Sequence, residues 1–165
     1  MREVKRVIIL GRGGSGKSTL ASKLGAITGL PVIELDKLFW QPRLRALASD
    51  EWANVQRRLI AQDRWIMDGD LGHYDVVEVR LRAADTIIVL DFALVLCAWR
   101  AFQRGRERTD FWQWLIAYRR RSLPVLMQAI NKFAPNAQLH LIRNPNELRQ
   151  FLAGLARPCK AQLGS

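Results

Sequence analysis

A glycine-rich stretch near the N-terminus carries the most specific chemical pattern in this sequence of 165 residues. Residues 11–18 read Gly-Arg-Gly-Gly-Ser-Gly-Lys-Ser, which satisfies the spacing G-x-x-x-x-G-K-[ST]. Glycines permit the backbone angles that turn successive N–H groups towards one anion, and a helix beginning near Lys17 adds the positive end of its dipole. The pattern therefore predicts a phosphate-binding loop for ATP or a close relative.

Each polar group of this loop has a predicted task. Lys17 is expected to reach the β- and γ-phosphates as a catalytic residue, and the Ser18 hydroxyl is expected to ligate Mg²⁺. The residues expected to contact the nucleotide are Gly11, Gly13, Gly14, Ser15, Gly16, Lys17, Ser18 and Thr19. The flanking sequence fits this interpretation, because residues 4–10 predict a buried strand and residues 17–28 a helix that stops at Gly29.

Three aspartates follow further predicted strands. Asp36, Asp68 and Asp91 come directly after residues 31–35, 64–67 and 86–90. A phosphotransferase with this loop needs an acidic group for the hydrated magnesium ion, and we expect Asp68 first and Asp91 second in that role. Asp36 is a candidate general base for an acceptor hydroxyl. Each aspartate has a simpler interpretation as a turn or helix-capping residue.

Seven arginines lie between residues 100 and 121. Arg100 and Arg104 are four residues apart and therefore share a face of a helix. Such a basic segment suits a short lid near residues 100–121 that closes over transferring phosphates, with Arg100 and Arg104 as catalytic residues. The alternative is a solvated pair of basic helices.

These residues must be positioned by alternating strands and helices. Further helices are predicted at residues 50–62, capped by Ser49, at 93–104 and at 111–132, and a last strand at 138–142. Residues 36–49 are expected to be irregular, and Asn144 or Asn146 to begin the last helix. The alternation predicts an α/β fold with a doubly wound, five-stranded parallel sheet, in one domain spanning residues 1–165.

The composition limits the partners. A formal net charge of +11 favours anionic ligands, which include nucleotides and leave nucleic acid open as a partner. No apolar run is long enough to cross a bilayer, so no membrane association is expected. The apolar stretch near the N-terminus is too short for a secretion signal, which predicts a cytoplasmic protein.

Together these residues resemble the P-loop kinase group that includes adenylate kinase. Asp68-Gly69, and Leu90-Asp91 followed by Arg100 and Arg104, match that group's strand ends and lid arginines. Arg119 to Arg121 are similar to the second arginine set of the lid. The resemblance implies the strand order 2-3-1-4-5, counted along the chain. The short interval between Lys17 and Asp68 leaves little room for the mononucleotide-binding insertion of adenylate kinase.

A closer resemblance is to adenylate-kinase-related proteins labelled DNA topology modulation proteins. It rests on the phosphate loop, on Leu-Asp-Lys-Leu-Phe-Trp at residues 35–40, on Trp-Ile-Met-Asp-Gly at residues 65–69 and on Trp99-Arg100. The sequence departs from that pattern at Asp70, where asparagine is usual, and at Ala93, where proline is usual.

These observations favour an ATP- and Mg²⁺-dependent phosphotransferase that acts on a small acceptor bearing a hydroxyl or a phosphate. The alternatives are a nucleotide-dependent DNA-binding or topology-modulating protein, suggested by the charge and by the resemblance, and a 5′-polynucleotide kinase. We expect the region between Asp36 and Gln62 to determine the acceptor.

Overall fold

The computed structural model describes residues 4–42, 45–105 and 109–156. The strands, in chain order, are β1 (Arg6–Gly11), β2 (Val32–Glu34), β3 (Trp40–Gln41), β4 (Arg45–Ala46), β5 (Trp65–Asp68), β6 (Thr86–Leu90) and β7 (Gln138–Ile142). The helices are α1 (Lys17–Thr28), α2 (Leu35–Phe39), α3 (Ser49–Ile60), α4 (Glu78–Leu81), α5 (Leu94–Arg104), α6 (Thr109–Phe133) and α7 (Pro145–Ala156).

Five of the strands form one parallel sheet in the order β2-β5-β1-β6-β7. Counted along the chain within this sheet, the order is 2-3-1-4-5. The predicted α/β fold and its five-stranded parallel sheet are confirmed. The register places Ile9 opposite Asp68 and Gly11 opposite Leu90, so the carboxyl ends of β5, β1 and β6 meet at one edge. Ligands of such sheets bind at this edge.

Helices cover both faces of the sheet. Ile8 and Leu10 belong to a core formed with α3 and the second half of α6, whereas Val7 and Ile9 belong to a core formed with α1 and α5. Because successive side chains of a strand point to opposite faces, a strand buried on both sides reads as a continuous apolar run. This explains why β1 could be recognised from its composition.

Two local predictions were wrong. Residues 36–49 are not wholly irregular, because α2 and an antiparallel β3–β4 hairpin occupy part of this segment. The reason is tertiary: the ring of Phe39 packs against the rings of Trp40, Trp52 and Tyr74. Ser49 does not cap α3; it is the first helical residue, and no side chain bonds to the amides at that end.

The start of the last helix, which the sequence left open, is decided by Asn144. Its side-chain oxygen accepts hydrogen bonds from the backbone N–H groups of Asn146 and Glu147, at 3.0 and 2.9 Å. The Glu147 carboxylate in turn accepts the backbone N–H of Arg143 at 2.6 Å. This arrangement resembles a capping box with asparagine as the cap, except that the glutamate accepts the N–H of the residue before the cap. Among the described residues, no helix has both the length and the apolar character needed to cross a bilayer.

Candidate active site

The phosphate-binding loop connects β1 to α1 at the ligand-binding edge of the sheet. Gly14 and Gly16 have φ angles of 73° and 92°, a region that L side chains rarely adopt. A Cβ atom at Gly14 would also lie 2.3 Å from the carbonyl oxygen of Cys97 in α5. Gly16 is the N-cap of α1, and no side chain caps the first helical amides. These amides are therefore free to bind an anion.

Lys17 holds its ammonium group over this loop. Its Nζ donates to the carbonyl oxygens of Gly11 and Arg12 at 2.8 and 3.2 Å. Among the described residues, no carboxylate forms an ion pair with Lys17. The positive charge thus stays available for an anion that enters the loop.

Ser18 and Asp68 meet next to Lys17. The Ser18 hydroxyl donates a hydrogen bond to the Asp68 carboxylate, and the other side of that carboxylate, Oδ1, is buried without a partner. Burial raises the pKa of Asp68, and the Ser18 hydrogen bond and the Lys17 charge oppose this rise. An acceptor-only oxygen without a donor is suited to a cation, so the arrangement can hold Mg²⁺.

Asp36 lies in α2 with its side chain exposed to solvent on one side. Desolvation by the surrounding protein raises the pKa of Asp36, and the Lys17 charge opposes that rise. The nearby carboxylates of Asp68 and Asp70 raise it further. The structure therefore brings Asp36 into the electrostatic environment of Lys17 and Asp68, as a base at this position requires.

Asp91, which follows β6, has a different partner. Its Oδ2 accepts hydrogen bonds from Nε and Nη2 of Arg119 in α6, at 3.2 and 2.8 Å. The Asp91 carboxylate is buried, whereas the Arg119 side chain is 58% exposed. One arginine of the second predicted cluster is thus anchored at the carboxyl edge of the sheet.

Arg100 approaches the phosphate loop from α5. Its Nη1 donates to the Ser15 carbonyl oxygen at 3.4 Å, and its guanidinium lies 5.9 Å from the centre of the Phe92 ring. The backbone of Arg104 ends α5, but its side chain lies outside the described part of the structure, as do Arg106 and Arg108. Of the two predicted catalytic arginines, only Arg100 can be placed at the loop.

A cavity of about 550 Å³ opens beside the loop. The loop, α1, α5 and α7 contribute to its walls, through residues that include Gly14, Ser15, Gly16, Thr19, Phe92, Arg100, Pro145 and Leu148. Its size falls within the range of small-molecule sites, and both apolar and polar residues line it.

Three site residues were missed by the sequence-based assignment. Asp70 accepts hydrogen bonds from the Gly11 amide at 3.4 Å and from the Tyr118 hydroxyl at 3.2 Å. Burial raises the pKa of Asp70, and the Lys17 charge opposes this. Arg12 stands with its guanidinium 5.5 Å from the centre of the Tyr118 ring. The sequence signals were the unusual aspartate after Asp68-Gly69 and an arginine inside the glycine-rich loop.

Solved structures with a similar fold are small-molecule kinases. A gluconokinase from Sinorhizobium meliloti 1021 superposes with a TM-score of 0.60 at 19% identity, over 95% of this chain and 94% of the other. Shikimate kinase from Acinetobacter baumannii, solved in complex with shikimate, gives a TM-score of 0.65 at 14% identity, over 92% and 90% of the two chains. A sugar kinase from Janibacter sp. HTCC2649 gives 0.54 at 18% identity, over 93% and 90%.

The chain shares its fold with these kinases. No protein-family model and no curated protein sequence matches it. At such low identities the similarity extends to the fold, and the chemistry must be argued from the residues of this chain.

Proposed function

We propose that this protein is an ATP- and Mg²⁺-dependent phosphotransferase that transfers the γ-phosphoryl group to a hydroxyl of a small molecule. The observation that carries the proposal is the convergence of Lys17, Ser18 and Asp68 at the start of α1, whose first amides no side chain caps. Phosphoryl transfer needs positioning and charge stabilisation more than covalent chemistry, and this set supplies both. The kinases that share the fold support the same reaction class.

The nucleotide has a defined place in this proposal. Its triphosphate lies in the loop, and its base and ribose occupy the adjacent cavity between α5 and α7. Phe92 offers an apolar contact, and Arg100 lies where it can contact the phosphates from the cavity side.

Magnesium would be held by Ser18 and Asp68, whose unpartnered buried oxygen fits a cation. When bound, the ion supplies charge neutralisation at the β- and γ-phosphates. Asp91, the second metal candidate, also has a buried oxygen without a partner, Oδ1, so we keep it as the second candidate ligand while its Oδ2 anchors Arg119.

Asp36 is the proposed base. The acceptor oxygen forms a bond to the γ-phosphorus, the bond from that phosphorus to the bridging oxygen breaks, and ADP leaves. The hydroxyl proton passes to the Asp36 carboxylate, and its raised pKa makes it a better proton acceptor than an ordinary aspartate. Lys17 and Arg100 stabilise the charge on the transferring group.

The basic segment near residues 100–121 is proposed to act as a short lid on a single kinase domain. We expect Arg104→Ala to slow transfer far more than it weakens ATP binding, because a lid arginine acts mainly in the transition state. Equal losses in both quantities would assign Arg104 to binding alone. The nucleic-acid alternatives rest on the net charge and on the resemblance to DNA topology modulation proteins, and the kinases with this fold give them no support.

The test is acceptor-dependent release of ADP from ATP and Mg²⁺, measured over a panel of sugars, sugar acids, nucleosides and phosphorylated metabolites. Lys17→Ala should lower kcat/KM by at least about 10³-fold, since it removes a charge aimed at the reacting phosphates. Lys132→Ala removes an exposed charge near the end of α6 and serves as the matched control. Full activity of Lys17→Ala, or no saturable binding of the magnesium nucleotide to folded protein, would refute the proposal.

A further inference from the structure

Arg12 is a buried cation without a counter-ion. Its side chain belongs to the phosphate loop and the residue is only 2% exposed. Its Nε has no hydrogen-bond partner, and among the described residues its guanidinium forms no ion pair or hydrogen bond. The Cζ atom of its guanidinium lies over the Tyr118 ring, 5.5 Å from the ring centre.

Such an arrangement is costly in the empty protein. Arginine stays charged at any physiological pH, so it cannot avoid the cost of burial by losing its proton. A guanidinium that is largely removed from water without a partner loses more hydration free energy than contact with one aromatic ring returns. The unused hydrogen-bond donors point to an anion that the protein meets in its working state.

The position of Arg12 indicates that this anion binds at a different place from the base and ribose of the nucleotide. The cavity assigned to base and ribose is lined by Gly14, Ser15 and Gly16 but not by Arg12. Arg12 instead lies against Tyr118, whose hydroxyl donates to Asp70. Asp70 in turn shares the electrostatic environment of Asp36, the proposed base. Arg12 therefore faces the Tyr118–Asp70 pair, which we assign to the acceptor side of the loop.

A second buried hydrogen-bond donor belongs to a ring that packs against the same tyrosine. Trp114 stacks edge-on against Tyr118, with ring centres 5.4 Å apart, and its Nε1 has no acceptor. The Trp114 Nε1 faces Gly72, where an added Cβ would lie 3.1 Å from it, so the guanidinium of Arg12 is the donor left for a small oxyanion.

We propose that Arg12 binds an anionic oxygen group, a carboxylate or a phosphate ester, of the acceptor. The acceptor is then a hydroxyl-bearing small anion, and Arg12 selects it against neutral molecules of the same shape. This inference rests on the proposed phosphotransferase function and adds the chemical class of its acceptor.

The experiment follows the Nε–H resonance of Arg12 by NMR in protein saturated with Mg²⁺ and a non-hydrolysable ATP analogue. Arg12→Gln identifies the resonance by its loss. Filling the loop first ensures that an added anion reports on the acceptor side. Inorganic phosphate and acetate are then titrated separately, with chloride as the control for ionic strength.

We expect the resonance to shift saturably with phosphate or with acetate, and the stronger of the two to identify the anionic group. In Arg12→Gln the affinity for that anion, measured by calorimetry, should fall at least about tenfold, the loss of one charge-assisted contact. Arg82→Gln, which removes an exposed arginine at the end of α4, should leave it unchanged.

Two results would overturn the inference while leaving the proposed function intact. One is normal nucleotide binding with no response of Arg12 to either anion. The other is a shift of the Arg12 resonance by the nucleotide alone that prevents any further anion effect, since Arg12 would then bind the γ-phosphate. Failure of the nucleotide itself to bind would instead refute the proposed function.

Discussion

Two arginines are buried in the part of the chain that the structure describes, and their surroundings are opposite. Arg80 in α4 has no exposed surface, and its Nη atoms donate to both oxygens of Asp75, at 2.7 and 2.6 Å. Further bonds reach the side-chain oxygen of Gln56 and the carbonyl of Gly69, each at 3.1 Å. Arg12 in the phosphate loop is buried to nearly the same extent, has no counter-ion among the described residues, and lies over the ring of Tyr118.

The difference separates an arginine that serves the fold from one that serves a ligand. Arg80 holds Gly69, and therefore the corner between Asp68 and Asp70, to α3 and α4. Its charge is matched inside the protein, so nothing needs to be added. The charge of Arg12 has no counter-ion at the ligand-binding edge of the sheet, where an entering anion can neutralise it. Burial alone thus does not distinguish structural charges from functional ones, and an unpartnered Nε does not either, since both arginines have one; the presence of a buried counter-ion does.

The largest expected effect tests the paired arginine. Arg80→Met should lower the free energy of unfolding by about 3–5 kcal/mol, because Asp75 would remain buried without its counter-ion. Urea denaturation measures this, and Arg82→Met, an exposed neighbour in the same segment, is the control. If the two variants lose the same stability, the Arg80 network has no special structural role.

The next largest expected effect is the pH dependence of the stability that the Arg80–Asp75 ion pair provides. Burial raises the pKa of Asp75, but the charge and hydrogen bonds of Arg80 outweigh it, so the pKa is lowered overall. A folded-state pKa below the unfolded value means that the pair stabilises the protein fully above the unfolded pKa, near 3.9. This stabilisation is lost as the pH falls through the folded-state pKa.

We therefore expect Asp75→Asn to be much less stable than the wild type at neutral pH. The gap should narrow as the pH falls below the ordinary aspartate range, because the wild type then loses its own ion pair. Urea denaturation of both proteins over a pH series measures the gap. A constant gap would show that the carboxylate charge does not matter.

The smallest expected effect is a change in the free energy of unfolding when Arg12 is replaced, and its sign is opposite to that for Arg80. Arg12→Met should keep or raise the free energy of unfolding, by about 1 kcal/mol, because it removes a desolvated charge without orphaning a partner. Added inorganic phosphate should stabilise the wild type more than this variant, by ligand linkage. A loss of stability as large as that of Arg80→Met would remove the contrast between the two arginines.

Much of the fold could be predicted because its signals are local. The strands predicted at residues 86–90 and 138–142 have the same bounds as β6 and β7. The helix from Lys17 to Thr28 also has the predicted bounds. The hairpin after Phe39 was missed because an aromatic cluster from distant segments holds it, and short strands carry no reliable periodicity.

The candidate site likewise has parts that could be predicted from the sequence and parts that could not. Lys17, Ser18 and Asp68 could be assigned from the motif and from the rule that strand ends meet at one edge. Asp91 could be placed at that edge, but its partner Arg119 is 28 residues away in the chain and could not be chosen from among the neighbouring arginines.

By itself, the sequence determined that a glycine-rich loop joins a buried strand to a helix, since spacing and backbone freedom are properties of consecutive residues. Only the tertiary structure decided that Arg12 is left without a counter-ion and that Asp70 meets Tyr118 across 48 residues. The partners of a buried charge depend on which distant segments pack together, and a linear pattern does not contain that information.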